Sequence, residues 1–324
     1  MKQYPIISIS KVQKYLKRES GVALLTVLLV VAIATIAAVA MATRQQVDLR
    51  KTENLLRMEQ AWQFAYGIDS WAIGRLIEDR KENATDSWED VWNNPIAPTD
   101  VEGGQLSASV ADLQGRFNLN NLLKEGKPSQ VDLDRFRRLL KQLEQPPELA
   151  EALLDWIDAD LDVRYPNGAE DETYINLQPP YRSANRPLSD VSELLLIKGF
   201  NAEVYTALRP HVAALPEYTH INVNSATAEV LMSLAEGLSS DDAQVLIDER
   251  EEAAFTDITL FLEHISFAGK KVTPDGMGLD SNYFQVNGDV QIGRIRLGYI
   301  SMLHRPKEGD LHIIKRKRKG VFDE

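Results

Sequence analysis

From Ser20 to Thr43 the chain carries no charged residue, and the run is rich in Val, Leu, Ile and Ala. Arg18-Glu19 bound it on one side and Arg44 on the other. A helix needs ~20 apolar residues to cross the hydrocarbon core of a bilayer, so this run is long enough to span. Apolar positions continue beyond it at Val47, Leu49, Leu55, Leu56, Met58, Trp62, Phe64, Ala65, Ile68, Trp71 and Ala72. The spacing predicts one long helix from residue 22 to about residue 80, with its membrane half at 22–43. Gly67 and Gly74 are tolerated weak points in it. Its second half presents Trp62, Ala65, Ile68, Trp71, Ile73 and Leu76 on one face, a pattern suited to packing on a sheet. Residues 81–105 hold Pro95, Pro98 and Gly103-Gly104 and read as loop.

The period then switches. Leu106 to Leu113 alternates apolar and polar residues, as a half-buried strand does, and Gln114-Gly115 ends it. Helical spacing follows over Asp132–Leu143, with Leu133, Phe136, Leu139, Leu140 and Leu143 on one face. Pro146-Pro147 opens a second helix, Glu148 to Ile157. After an irregular acidic segment (158–187) come helical patterns at Asp190–Ile197, Ala202–Leu208, Ala226–Leu234, Asp241–Glu251 and Ile258–His264. Glu193 completes a capping box in the first of these. Alternation returns at Asn282–Asn287, Gly288-Asp289 signals a turn, a long strand runs from Val290 to Leu303, and Asp310–Lys315 is a last strand. Strand patterns on both sides of a helical block of about 160 residues predict an α+β fold. One small antiparallel sheet (81–116 and 280–324) packs on the N-terminal helix and is split by an inserted all-α domain (117–279). Two helical domains in series are the alternative.

Charge orients the apolar run. Lys2, Lys11, Lys14, Lys17 and Arg18 precede it against Glu19 alone, which predicts an N-terminus retained in the cytoplasm and everything after Arg44 exported. A secretory signal cut at Ala40-Met41-Ala42 is one reading, although the run exceeds the ~7–15 residues of a usual h-region. The other is a leader like that of type IV prepilins, cut between Gly21 and Val22, with the apolar helix kept. The helix continuing without a break past the membrane favours the second reading, and residues 1–21 are then a cleaved cytoplasmic leader. The whole chain of 324 residues carries a net charge of -12, and the exported part is more acidic still. That argues against a phosphate-backbone partner and suits hard cations. There is no cysteine, hence no disulfide and no thiolate site, and the five histidines (His211, His220, His264, His304, His312) form no ligand-like pair.

The most chemical stretch is Asp155-Trp-Ile-Asp158-Ala-Asp160-Leu-Asp162 followed by Asn167-Gly168-Ala169-Glu170-Asp171-Glu172. Such spacing resembles the oxygen supply of a Ca2+ site, which takes 6–8 oxygens; a solvated acidic loop is the bland reading. It is not an EF-hand, because Val163 and Ala169 stand where that loop's Gly and final Glu belong. Repulsion among these carboxylates, in a loop that also holds Trp156 and Tyr174, calls for a compensating cation. Paired carboxylates also serve glycoside hydrolysis, but no nucleophile turn, nucleotide-binding loop or catalytic set accompanies them, and no enzyme activity is expected. Ile221-Asn-Val-Asn, Leu238–Arg250 and Phe255–Phe261 look like helix-hairpin-helix modules, and Phe117-Asn-Leu-Asn echoes the first of them. The hairpin Gly237-Leu238-Ser239 lacks its second Gly and is followed by Asp241-Asp242, which repel phosphate, so a helical packing role is the better reading. Asn222 and Asn224 are expected to hold turns and cap a helix. The basic run Lys315–Lys319 reads as an edge strand blunted by charge.

Taken together, Gly21-Val22-Ala-Leu-Leu, Gly115-Arg-Phe-Asn-Leu-Asn, Asp155-Trp-Ile-Asp-Ala-Asp, Gly168-Ala-Glu-Asp with Tyr174, Tyr181-Arg-Ser-Ala-Asn-Arg, Val191-Ser-Glu-Leu, Asn222-Val-Asn and Tyr283-Phe-Gln-Val resemble the type II secretion minor pseudopilin K family along nearly the whole chain. The resemblance implies a pseudopilin fold with a large inserted α-domain. It implies leader removal after Gly21 by prepilin peptidase, methylation of Val22, and a single-pass inner-membrane protein with a periplasmic C-terminal domain. It further implies a place at the tip of the pseudopilus with minor pseudopilins I and J, contact with the other pseudopilins and the assembly platform, and no nucleic-acid partner. Ca2+ is implied beside the acidic motif, with Asp158, Asp160, Asp162, Glu170 and Asp171 as candidate ligands. Pilins usually carry Glu at the fifth residue after the cut, where this chain has Thr26. A Glu in a membrane helix is costly unless paired, and its partner in a filament is the subunit ahead. A tip subunit has none ahead of it, so Thr26 suits the tip. A membrane-anchored helix-hairpin-helix DNA receptor and the tip subunit of a type IV pilus are the alternative functions.

Overall fold

A computed structural model describes residues 9–320 of the chain, with side chains from Gly21 onward. The first eight residues of the expected leader, Lys2 among them, lie outside the described residues. Helix α1 runs over Ile9–Glu82. It begins before the expected start at residue 22 because nothing after Pro5 breaks a helix, and Gly21 is tolerated within one. Two compact units divide the chain, residues 1–60 and residues 61–324.

In the first unit every side chain from 21 to 56 is exposed. The stretch is long and apolar enough to cross a membrane. Uncovered Leu, Val and Ile at this density need an apolar surround. The Thr26 hydroxyl donates to the Ala23 carbonyl at 2.9 Å, so its polar group is satisfied within the helix.

In the second unit the last turns of α1 bury Ala61, Ala65, Ile68, Ala72 and Leu76. The expected face is therefore rotated toward the alanines: Trp62, Trp71 and Ile73 are only half-buried. Small residues let the backbone approach the sheet closely enough for the Tyr299 hydroxyl to donate to the Ala65 carbonyl at 2.9 Å. The sheet has five strands in the order β1 (Ile96–Val101), β2 (Gly104–Asp112), β3 (Tyr283–Ile292), β4 (Ile295–His304) and β5 (His312–Arg318). All neighbours are antiparallel. It is a meander interrupted between β2 and β3, and the matching fold is α+β as the pattern predicts.

Two details differ from the sequence reading. β1 lies in the stretch read as loop; Pro98 sits in it where the register shifts between Ile96 and Thr99, a place on an edge strand that tolerates a missing donor. Nor does the chain turn at Gly288-Asp289. Strand β3 runs straight through, because the Tyr299 ring occupies the space a Cβ at Gly288 would need. The turn falls at Gly293, which takes φ 55°. Asp69, 2% exposed, joins helix to sheet by accepting from the Ser301 hydroxyl at 3.1 Å and from Arg316 Nε at 3.0 Å.

Between β2 and β3 the helices α2 (Gln130–Gln142), α3 (Leu149–Ile157), α4 (Asp171–Tyr174), α5 (Ala202–Leu208), α6 (Ala228–Ser233), α7 (Ser240–Glu252) and α8 (Ile258–Glu263) surround a core that includes Phe117, Phe136, Leu153, Trp156 and Phe261. Residues 191–196 form a 3-10 helix whose N-terminus carries the expected capping box from Asp190 and Glu193. The echo between Phe117-Asn118 and Ile221-Asn222 has a structural counterpart. Each makes a two-residue parallel pairing, with Val212-Ala213 and with Met277-Gly278. Asn222 holds a turn as expected, its Oδ1 accepting from the Asn224 amide at 3.0 Å, but neither residue caps a helix; Thr227 caps α6. Asn222 Nδ2 instead donates to the Asp86 carbonyl and to Asp112 Oδ2, both at 2.9 Å, and Asn224 pairs with both backbone groups of Phe255.

Candidate metal centre

Helix α3 is buried along its whole length. Its last turn points Asp155 inward and Asp158 caps its C-terminal end, so the following loop folds back over two buried carboxylates. The reach of that loop is set by Gly168, whose amide donates to the Arg164 carbonyl at 2.7 Å. A Cβ there would collide with Asp155 Oδ2 and with the Arg164 backbone. One ligand atom from each of Asp158, Asp160 and Glu170 lies within 4.8 Å of the others. Asp158 and Glu170 are 4% and 3% exposed, while Asp160 faces solvent.

The other two sequence candidates stand apart from this trio. Asp162 is exposed, and its amide donates to Asp160 Oδ1 at 2.9 Å. Asp171 Oδ1 accepts from both the amide and the hydroxyl of Ser183 at 3.0 Å, and its Oδ2 faces Arg182 at 3.4 Å. The geometry brings together three of the five, because Asp162 lies exposed past the turn its amide makes with Asp160 and Asp171 is taken up by Ser183 and Arg182.

Sequence reasoning missed Arg164. Its guanidinium pairs with Asp155 at 2.9 Å, contacts Asp158, and lies 3.8 Å from Asp160. Part of the compensation that carboxylate repulsion demands is thus built into the chain; a lone Arg amid the seven acids between 155 and 172 is the signal that the sequence offers. Burial opposes the Arg164 charge, but its hydrogen bond to Asp155 and the charges of Asp158 and Asp155 outweigh that and raise its pKa. The compensation is incomplete. Asp158 Oδ1 and Glu170 Oε1 are buried and have no hydrogen-bond partner. Burial raises the Asp158 carboxyl despite Arg164. Burial also lifts Glu170 to about 7; a hydrogen bond from Ser183 opposes this, and the charges of Asp155, Asp158 and Asp160 add to it. Orphaned carboxylate oxygens facing a shared space are what an oxygen-seeking cation such as Ca2+ uses.

A second acidic group, Asp79, Asp86 and Asp90, has comparable spacing but a different solution. Arg305 reaches Asp79 at 3.0 Å and Asp86 at 2.5 Å, placing the protein's own cation among the carboxylates. The basic run at the C-terminus is likewise paired. It lies on the edge strand β5 as expected, but Lys315 and Lys317 meet Asp190, Arg316 meets Asp69, and Lys319 meets Asp289. In the helix-hairpin-helix-like segment, Asp242 completes the capping box of α7 and faces Lys270 at 3.2 Å, which is packing chemistry.

Comparison with known proteins agrees with this architecture. Residues 115–217 and 221–280 match two models described as type II secretion system (T2SS), protein K. The chain is 36% identical over 309 residues to type II secretion system protein K of Pseudomonas aeruginosa, covering 92% of both chains. It is 32% identical over 328 residues to that of Aeromonas hydrophila, covering 94% of this chain and 98% of the relative. Among solved structures it is similar to a chain from the GspK-GspI-GspJ complex of the enterotoxigenic Escherichia coli type 2 secretion system. The TM-score there is 0.74 at 26% identity, covering 84% of this chain and 100% of that one. With the split sheet, the inserted helices and the buried acidic loop all on one chain that matches these relatives nearly end to end, the protein belongs to the type II secretion system protein K family.

Proposed function

We propose that this protein is a non-enzymatic assembly subunit, a minor pseudopilin at the tip of the type II secretion pseudopilus. There it initiates or caps the filament that exports folded proteins across the outer membrane. The observation that carries this reading is the likeness to a chain solved in complex with GspI and GspJ, because the match spans that whole chain. Minor pseudopilins I and J are the proposed partners here, with the other pseudopilins and the assembly platform beyond them. Thr26 supports the tip position, since its hydroxyl is satisfied by its own helix and asks nothing of a subunit ahead. Affinity purification of the full chain from detergent-solubilised membranes is expected to recover both I and J. Recovery of neither, with both expressed, would sink the tip-complex reading.

The anchor is proposed to be processed by prepilin peptidase between Gly21 and Val22 and to cross the inner membrane once, N-terminus inward. Mass spectrometry of the membrane-extracted protein is expected to find methylated Val22 as its first residue. A first residue at Thr43 instead would identify the run as a discarded signal. Ca2+ is the proposed ion of the acidic loop. Asp158, Asp160 and Glu170 are its side-chain oxygens there, and Arg164 supplies charge balance rather than a ligand.

A further inference from the structure

A cavity of about 360 Å³ opens where the helical insert meets the sheet. The segments around Asp190 and Arg209 wall it on one side and strands β3 to β5 on the other, with Ile300 and Met302 as apolar floor. Four cationic side chains line it, Arg116, Arg209, Lys315 and Lys317, against one acid, Asp190.

That acid is already committed. Asp190 Oδ2 takes Lys315 Nζ at 2.6 Å and Lys317 Nζ at 3.0 Å. Its Oδ1 accepts from the amide and hydroxyl of Ser192 at 3.1 and 2.9 Å. Among the described residues, no hydrogen bond or ion pair holds the guanidinium of half-buried Arg116. The carboxylate whose charge it feels, Asp112, is taken up elsewhere. Oδ1 accepts from the Gln114 amide at 2.7 Å, and Oδ2 from Asn222 at 2.9 Å, from Ser281 at 2.7 Å and from Ser225. Burial lowers the Arg116 pKa, partly offset by Asp112, and Arg209 lowers it further. The lining side chains thus carry more cations than acids, and the Arg116 fork of N–H donors borders the cavity without a hydrogen-bond partner of its own among the described residues. Gln285 and Asn287 also line it, the Gln285 amide donating to Asn287 Oδ1 at 2.8 Å.

We propose that this cavity binds a small oxyanion, a phosphate or carboxylate group, with Arg116 as its principal contact. The guanidinium fork matches two oxygens of either group at once. Because the walls come from both the insert and the sheet, the anion ties the two together and stabilises the native state by mass action.

Isothermal titration of the detergent-solubilised full chain, in buffers matched for ionic strength with chloride, tests this with inorganic phosphate and with citrate as separate probes. Saturable binding of one anion per chain is expected for at least one probe, and the arm that binds identifies which oxyanion the site takes. Losing a charged bidentate contact in Arg116→Gln should weaken binding about tenfold or more. Arg116→Lys, which keeps the charge without the fork, should fall between, and Lys271→Gln, an exposed cation away from the cavity, should bind as the unaltered chain does. If Arg116→Gln does not fold, the Lys variant and the direct titration of the unaltered chain decide. No saturable heat with either probe at millimolar concentration overturns the proposal. So does undiminished binding in folded Arg116→Gln and Arg116→Lys.

Discussion

Replacing Arg305 with methionine is expected to destabilise the domain formed by residues 61–324 by about 3–5 kcal/mol, the cost of removing one partner from a buried ion pair. Arg305 is 7% exposed, and Asp79 and Asp86 are 1% and 2% exposed. The guanidinium also donates to the Ser281 carbonyl at 2.8 Å and lies 4.7 Å from the centre of the Phe284 ring. It therefore joins the end of α1, the segment after it, and β3 at one point. Methionine fills much of the volume but leaves two carboxylates buried without a cation. Chemical denaturation of the full chain in detergent reads the loss directly; a shift below about 1 kcal/mol, the size of an ordinary substitution, would show that the network does not hold these elements.

The defect should also depend on pH, with a definite sign. Burial raises the Asp86 pKa, and Arg305 opposes it. Without the guanidinium the folded pKa lies further above the unfolded value of roughly 3.9. A carboxyl raised on folding favours the native state below its unfolded pKa and loses that contribution as pH rises through its folded pKa. The variant is thus expected to lose more stability at pH 8 than at pH 5, relative to the unaltered chain. Equal losses at both would mean that the carboxylates find another cation.

Ca2+ is expected to raise the melting temperature of the full chain. An ion bound only by the native state at a hundred times its dissociation constant adds about 2.7 kcal/mol, or roughly 5–10 °C for a domain of this size. Glu170→Gln and Asp158→Asn should abolish most of the rise, because each removes an orphaned buried oxygen. Asp162→Asn should leave most of it, because that carboxylate stands outside the trio. With Glu170 near 7, protons compete for the site, so the Ca2+ effect should grow from pH 5.5 to pH 8. In chelator the sign reverses. The uncompensated loop is most stable below the unfolded pKa of Glu170 and loses that contribution as pH rises through about 7. Absence of any shift with excess Ca2+, together with no change on chelation, would count decisively against the site.

Much was legible in the chain because it depends on local period and composition. The apolar run after Gly21, the change from helical spacing to alternation near residue 280, and the capping box at Asp190 and Glu193 each act within a few residues of themselves. So does the concentration of carboxylates between 155 and 172. These alone determine a helix long enough to span a membrane, an α+β architecture interrupted by helices, and an acidic loop with metal-like chemistry.

Tertiary structure decided what depends on residues far apart in sequence. Gly288 continues a strand rather than turning, because a tyrosine from the next strand needs its space. The alanines, not the tryptophans, form the centre of the face of α1 against the sheet, because depth of contact there is set by the partner surface. Two acidic groups of similar spacing part ways for the same reason. Arg305 reaches Asp79 and Asp86 across 226 and 219 residues and satisfies them, while nine residues separate Arg164 from Asp155 and it still leaves oxygens of Asp158 and Glu170 unpaired. Which carboxylates keep a cation of their own, and which remain open to one from solution, is a property of folded distance. No local pattern of charge contains it.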